Sequence, residues 1–236
     1  MDYRGVGKIL KNIRYLIITI NLIFCGCLKN NSQPDRKILF LGNSITWSPP
    51  NLLIGWPGDW GMAASSGEKD YAHRTVDILN DRGIELEMGV ARRYCYCDGP
   101  IEEHLANMDY IREFGADYIV VQLGEHPSPD DITSGKMAEQ YGRLIEALSE
   151  LNPRQIYCLS PWKDEQPGNP RTQVILNVVE NFPLAAFIDT RSIYSDSANL
   201  GDPQLFQLPS VLWHPGDRGM ESIAQSLASA VMEDAL

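Results

Sequence analysis

The sequence predicts an α/β fold, a three-layer sandwich in which a five-stranded parallel sheet lies between two layers of helices. Short strand-forming runs alternate five times with longer stretches whose apolar residues recur at helical spacing. Several of those strand runs are nearly continuous in apolar residues, as in parallel strands buried on both faces. Polar loops follow the strands, and that edge is where open α/β sheets place ligands and reacting groups. Right-handed crossovers with one reversal of direction give the flavodoxin-like strand order 2-1-3-4-5.

The first strand is Lys37 to Leu41, and it runs into Gly42-Asn43-Ser44. A loop rich in turn formers and indoles follows, Trp56-Pro57-Gly58-Asp59-Trp60-Gly61-Met62-Ala63-Ala64-Ser65. Glu68 to Asp81 places Tyr71, Val76, Ile78 and Leu79 near helical spacing, and Gly83 is suited to end that helix. The second strand is Ile84 to Val90, with a loop through Arg92, Arg93 and Gly99 behind it. Pro100 opens a helix with Ile101, Leu105, Met108 and Ile111 on one face, and Gly115 closes it.

Asp117 to Leu123 is the clearest strand and empties into Gly124-Glu125-His126-Pro127. Ser134 to Leu151 reads as a helix with Met137, Tyr141, Leu144, Ile145 and Leu148 inward, stopped by Pro153. The fourth strand, Gln155 to Leu159, leads to Ser160-Pro161-Trp162. A helix from Thr172 to Asn181 and a short strand from Ala185 to Ile188 come next. A long loop from Asp189 to His214 precedes the last helix, Asp217 to Glu233.

The chain divides at its start. Residues 1–36 read as a signal and tether, and residues 37–236 as one domain long enough to bury a sizeable core. Arg4, Lys8, Lys11 and Arg14 precede the apolar run Tyr15 to Phe24, which suits the core of an export signal better than a full membrane span. The run ends in Phe24-Cys25-Gly26-Cys27 and a polar tether. A small residue followed by cysteine there resembles a bacterial lipoprotein signal, which would make Cys27 the lipidated residue. The other reading is an uncleaved membrane anchor. Either way the body is expected to be exported and held at a membrane, in the periplasm or on the cell surface.

Residues 37–236 carry 14 Lys+Arg against 29 Asp+Glu, so acidic a body argues against a nucleic acid as partner. Outside the signal the cysteines are Cys95, Cys97 and Cys158, an odd number whose pairing the sequence leaves open. Cys95 and Cys97 followed by His104 fit no usual zinc spacing and lack a fourth ligand. Neither a metal nor another cofactor is expected.

Ser44, the Arg92 loop, Glu125, His126, Trp162 and the segment before the last helix all follow strands, so the topology gathers them on one edge. Ser44 is placed there either as an ordinary turn residue or as a nucleophile with Gly42 to let the backbone turn. A serine nucleophile needs a base, and at neutral pH that is usually histidine. His73 and His104 fall within predicted helices, whereas His126 and His214 fall in loops on the active edge. His214 is the stronger candidate, because Pro215 biases it toward an extended backbone that projects it from the loop. Gly216 permits the bend, and Asp217 is suited to cap the helix.

Four blocks, GNSIT after the first strand, GDWGMAAS beyond it, VVQLGE at the third strand and HPGDRGMESIA entering the last helix, resemble the SGNH or GDSL hydrolases. Within that family the chain is similar to exported bacterial carbohydrate esterases, over about residues 37–230. The resemblance implies Ser44 as nucleophile, with its N–H also holding the oxyanion, and His214 as base. It implies further oxyanion donors on the third-strand loop, where Gly124 matches and His126 stands at the position of an asparagine. Losing one such donor costs on the order of 3 kcal/mol in the transition state. The family's glycine donor after the second strand has no counterpart in the Ala91 to Gly99 loop, where Arg93 and Gly99 are the alternatives. Where the family has an aspartate three residues before the histidine, this chain has Val211. The expectation is therefore a Ser-His dyad, its imidazole oriented by a backbone carbonyl or by a more distant acid such as Asp196 or Asp202.

All five tryptophans, Trp47, Trp56, Trp60, Trp162 and Trp213, fall in loops placed at that edge, where they can pack the loops or stack on sugar rings. Trp47, Trp60, Glu125, Trp162 and Trp213 are the expected substrate-binding residues. The function expected is removal of acetyl or another small acyl group from an acylated carbohydrate. A non-catalytic carbohydrate-binding lipoprotein and an acyltransferase are the rival readings.

Overall fold

The protein is described from a computed structural model, which describes residues 36–92, 105, 108–162 and 170–235. Five strands form one sheet among these residues: β1 (Arg36–Gly42), β2 (Leu86–Val90), β3 (Tyr118–Gln122), β4 (Gln155–Leu159) and β5 (Ala185–Ile188). Every pairing is parallel, and the order is β2-β1-β3-β4-β5. That is the expected 2-1-3-4-5, with its reversal at β1 next to β3.

The helices are α1 (Tyr71–Asp81), α2 (Met108–Phe114), α3 (Pro129–Thr133), α4 (Lys136–Ser149), α5 (Pro170–Val179), α6 (Arg191–Tyr194), α7 (Pro209–Leu212) and α8 (Asp217–Ala235). Strand side chains alternate between faces, and each face receives its own layer. Ile38, Phe40, Tyr118, Val120, Tyr157 and Leu159 meet α1 and α8 through Ala72, Leu79, Ile223, Leu227 and Val231. Leu39, Leu41, Ile119, Val121, Ile156 and Cys158 meet α2, α4 and α5 through Ile111, Tyr141, Leu144, Ile145 and Ile175. Ile38 to Leu41 are wholly buried, each such side chain contributing about 2 kcal/mol. Burial on both sides is why this strand reads as an unbroken apolar run.

Two departures from the sequence reading have local causes. The helix expected from Ser134 to Leu151 is α4, Lys136–Ser149, and a separate short helix, α3, precedes it, with Gly135 at φ of 80° between the two. Ser128 and Asp131 close a capping box on α3, so it starts at Pro129. The long loop expected from Asp189 to His214 contains α6, a 3-10 turn over Ser197–Asn199, and α7. Trp56, Met62, Ala63, Phe206 and Val211 form a small separate core under these loops, and that core holds them in place.

The start of the chain and its Cys27 lie outside the described residues, as do Arg93, Cys95, Cys97, Gly99, Pro100, Ile101 and His104. Cys158 is buried and free, and burial pushes its thiol up to about 12. Among the described residues no helix is long and apolar enough to cross a membrane.

Candidate active site

The site is assembled at the carboxyl ends of β1, β3 and β4 and at the turn before α8. After β1 the backbone folds at once into a helical turn, with Thr46 and Trp47 N–H both donating to the Asn43 carbonyl, at 2.9 and 3.0 Å. Gly42 is required there: a Cβ would lie 2.0 Å from Thr46 Oγ1 and 2.8 Å from the Gln122 carbonyl oxygen. Asn43 N–H donates to that same Gln122 carbonyl at 3.2 Å, so the turn is pinned to the end of β3. Ser44 sits in this turn, 4% exposed.

His214 comes from the other end of the chain. Pro209 opens α7 at its first turn, and the helix ends so that His214 N–H donates to the Val211 carbonyl at 3.0 Å. The segment Asn199 to Gly201 then holds the bend. Gly201 N–H donates to His214 O and Gly216 N–H to Asn199 O, each at 2.9 Å, while Leu200 bridges to Pro215. The Trp213 and His214 rings lie 3.9 Å apart between centroids.

Ser44 Oγ and His214 Nε2 are 2.7 Å apart although 170 positions separate them. His214 Nδ1 lies 3.2 Å from the Val211 carbonyl oxygen. A carbonyl only accepts, so Nδ1 carries the proton and Nε2 is left to accept from the serine hydroxyl. Burial drives the imidazole down to about 3, against the pull of the Val211 carbonyl. It is therefore neutral at neutral pH, with Nε2 free to accept. The two acids considered as orienting groups are engaged elsewhere: Asp196 pairs with Arg218 at 2.9 Å, and Asp202 caps its own turn at Gln204 N–H. The backbone carbonyl is the partner, and its residue is the one at the expected aspartate position.

Ser44 N–H makes no hydrogen bond among the described residues, which leaves it available to an oxyanion. Its carbonyl accepts Met62 N–H at 2.8 Å, tying the GDWGMAAS loop to the Ser44 turn. That loop is held to α8 by Asp217, which accepts from Ser65 N–H, Ser65 Oγ and Lys69 Nζ, each at 2.8 Å. Asp217 was expected as a helix cap; it stands inside α8 and clamps this loop instead. His73 is bound through Nδ1 to the buried Asp70 at 2.8 Å, and that hydrogen bond holds the imidazole above its ordinary range.

The loop after β3 carries the remaining expected donors. Gly124 adopts φ of 130°, and a Cβ would approach Ile175 Cδ1 to 2.9 Å, so glycine is needed for conformation and for space. His126 is exposed, and its charge bears on both Glu125 and His214. Of the expected substrate-binding residues, Trp47, Trp60 and Trp213 are partly exposed. Two expectations are corrected. Trp162 is 1% exposed; it packs edge-on against Tyr194 and donates Nε1–H to the Trp213 carbonyl at 2.9 Å, so it supports the His214 turn. The Glu125 carboxylate is occupied by Asn43 Nδ2, by Gln122 Nε2 at 2.6 Å and by Trp162 N–H at 2.8 Å, and so does not face a substrate. Trp56 is wholly buried in the small core.

Asn43, Gln122 and the Val211 carbonyl were not singled out from the sequence. An asparagine directly before the serine, and a glutamine ending an otherwise apolar strand, were the available signals for two of them. A backbone carbonyl leaves no signal in residue type.

No protein-family model matches the chain, and no curated protein matches it in sequence. Solved structures do. The chain is similar to a two-domain esterase active on acetylated mannans, with TM-score 0.60 and 15% identity over 84% of this chain. It spans about half of that protein, 49%. It is also similar to a family 3 carbohydrate esterase from Clostridium thermocellum, with TM-score 0.57 and 15% identity, covering 84% of this chain and 96% of that one. A psychrotrophic esterase from Pseudoalteromonas sp. matches with TM-score 0.58 and 12% identity, covering 84% and 98%. These likenesses show a fold held in common with such esterases, as the sequence blocks implied.

Proposed function

We propose that this chain, which has the fold of those esterases, is itself a serine esterase that removes acetyl or another small acyl group from carbohydrate. The 2.7 Å contact between Ser44 Oγ and His214 Nε2 is the observation that carries the reading. Ser44 Oγ attacks the ester carbonyl carbon as its proton passes to His214 Nε2. The oxyanion receives the Ser44 N–H, with further donors from the loop of Gly124 and His126. Collapse expels the sugar hydroxyl, which takes the proton from Nε2 and leaves acyl-Ser44. His214 then deprotonates a water that attacks the acyl carbonyl, and the acid leaves with Ser44 restored.

During the reaction the imidazole becomes a cation in a buried site, with the Val211 carbonyl as its partner. A neutral carbonyl stabilises that cation less than a carboxylate would, so a modest turnover number is expected. The carbohydrate part rests on the partly exposed indoles of Trp47, Trp60 and Trp213 and on similarity to an esterase active on acetylated mannans. Export and membrane attachment through Cys27 belong to the same proposal and rest on residues 1–36 alone.

Release of acetate from acetylated oligosaccharides by the purified body, residues 37–236, tests the reading. Loss of acetate release in Ser44→Ala supports it. Acetate release equal to that of the Ser44→Ala variant would leave a binding protein, and acetyl transfer to an added sugar in place of acetate would make it a transferase.

A further inference from the structure

We propose that Glu125 is a positioning residue for the esterase reaction above, holding the nucleophile turn through Asn43. The proposal rests on that functional reading and assigns Glu125 a role no sequence motif gave it. Three donors from three segments converge on its carboxylate. Asn43 Nδ2, from the turn after β1, donates to Oε2; Gln122 Nε2, from the end of β3, and Trp162 N–H, from the loop after β4, donate to Oε1.

The orientation of Asn43 is fixed from its other side. Its Oδ1 accepts Ile45 N–H at 3.0 Å, so Nδ2 must face Glu125. One amide thus connects the part-buried carboxylate to the two residues flanking Ser44. Gln122 has no such second anchor: its Nε2 donates to Glu125 while its Oε1 finds no partner among the described residues, so its amide is held from the Glu125 side.

Only an ionised carboxylate accepts on both oxygens at once. A glutamine would set its own amide against Asn43 on one side, or against Gln122 and Trp162 on the other. No lysine or arginine pairs with Glu125 among the described residues. A part-buried carboxylate with no lysine or arginine partner is an expensive way to join loops. It is an effective way to aim three donors at one point beside a reacting group.

The titratable groups facing it are His126 on its own loop and Tyr141 from α4, which in turn contacts Cys158 on β4. Burial raises the Glu125 carboxyl, with Trp162 N–H, His126 and Gln122 opposing. Acid therefore protonates it at a pH where His214, down at about 3, is still neutral. Protonation turns one oxygen into a donor facing a donor and releases one side of the network. The acidic limb of kcat then belongs to Glu125 and not to the histidine.

The test compares native protein, Glu125→Gln and Asn43→Ala on nitrophenyl acetate from about pH 4 to 8, per active site titrated with a fluorophosphonate, with Ser44→Ala as the blank per mole of folded protein. Glu125→Gln should lower kcat about 10- to 100-fold with KM nearly unchanged, as expected for a misplaced nucleophile. Its acidic limb should vanish, and Asn43→Ala should show the same loss of kcat. A variant that keeps the native kcat and the native acidic limb overturns the proposal. Should Glu125→Gln fail to fold, Asn43→Ala decides, and unchanged kcat there overturns it. A native protein no faster than Ser44→Ala removes the esterase reading and this role with it.

Discussion

Val211 holds His214 with its backbone and the small loop core with its side chain. Its carbonyl oxygen lies 3.2 Å from His214 Nδ1, while its isopropyl group is wholly buried beside Trp56, Met62 and Phe206. The residue three positions before the histidine therefore orients the imidazole without offering it a charge. Val211→Asp should not repair the missing acid. A carboxylate at that position enters an apolar cluster and should destabilise the fold by on the order of 3 kcal/mol. Thermal unfolding and kcat on a nitrophenyl ester check this; a gain in kcat at native stability would show that the side chain reaches the imidazole.

The low pKa of His214 makes stability pH-dependent. Its folded value, about 3, lies below the ordinary histidine value of 6.5, so below pH 6.5 the unfolded chain takes up a proton that the folded protein refuses. Stability contributed by the neutral ring is fully present above 6.5 and is lost as pH falls toward 3, at about 1 kcal/mol per pH unit. Denaturant unfolding of native protein and His214→Gln between those limits should show the gap closing in acid. A constant gap would contradict it.

Asp217 binds the loop that reaches the nucleophile turn. Asp217→Ala removes the acceptor for Ser65 N–H, Ser65 Oγ and Lys69 Nζ. The Lys69 contact is solvent-exposed and contributes little. Loss of the two Ser65 bonds should lower stability by about 1 to 2 kcal/mol. Because Met62 N–H from that loop donates to Ser44 O, kcat should fall as well. Unfolding and kinetics on one preparation separate the two effects.

Trp213 lies against the His214 ring, with centroids 3.9 Å apart, and its carbonyl accepts the Trp162 indole. Trp213→Ala keeps the carbonyl but opens the imidazole to water. Burial is the main cause of the low His214 value, so histidine NMR should show its titration moving upward, and kcat should fall roughly tenfold. An unmoved titration would contradict this.

The fold and the Ser44–His214 contact were legible in the sequence because their signals are local. Ile38 to Leu41 advertise a strand buried on both faces, and Gly42, Pro215 and Gly216 mark the turns that present Ser44 and His214. The topology then explains how residues so far apart along the chain meet. The substrate-facing set was less legible. A tryptophan in a loop looks the same whether it packs, as Trp56 and Trp162 do, or faces outward, as Trp47 does. Glu125 looked like a recognition carboxylate because its three donors come from residues 43, 122 and 162, which are adjacent only once the sheet has formed. The short α3 was missed because only five residues lie between its Ser128 cap and the break before Gly135, too few to show a helical apolar period.

The central claim is that Ser44 and His214 act as one catalytic unit. Burst-phase hydrolysis of nitrophenyl acetate, with the quenched protein mapped by peptide mass, tests it most directly. A transient acetyl group is expected on the peptide containing Ser44 in the native protein, and none in Ser44→Ala or His214→Ala. Full turnover by Ser44→Ala, or an acetyl group carried only elsewhere, would contradict it.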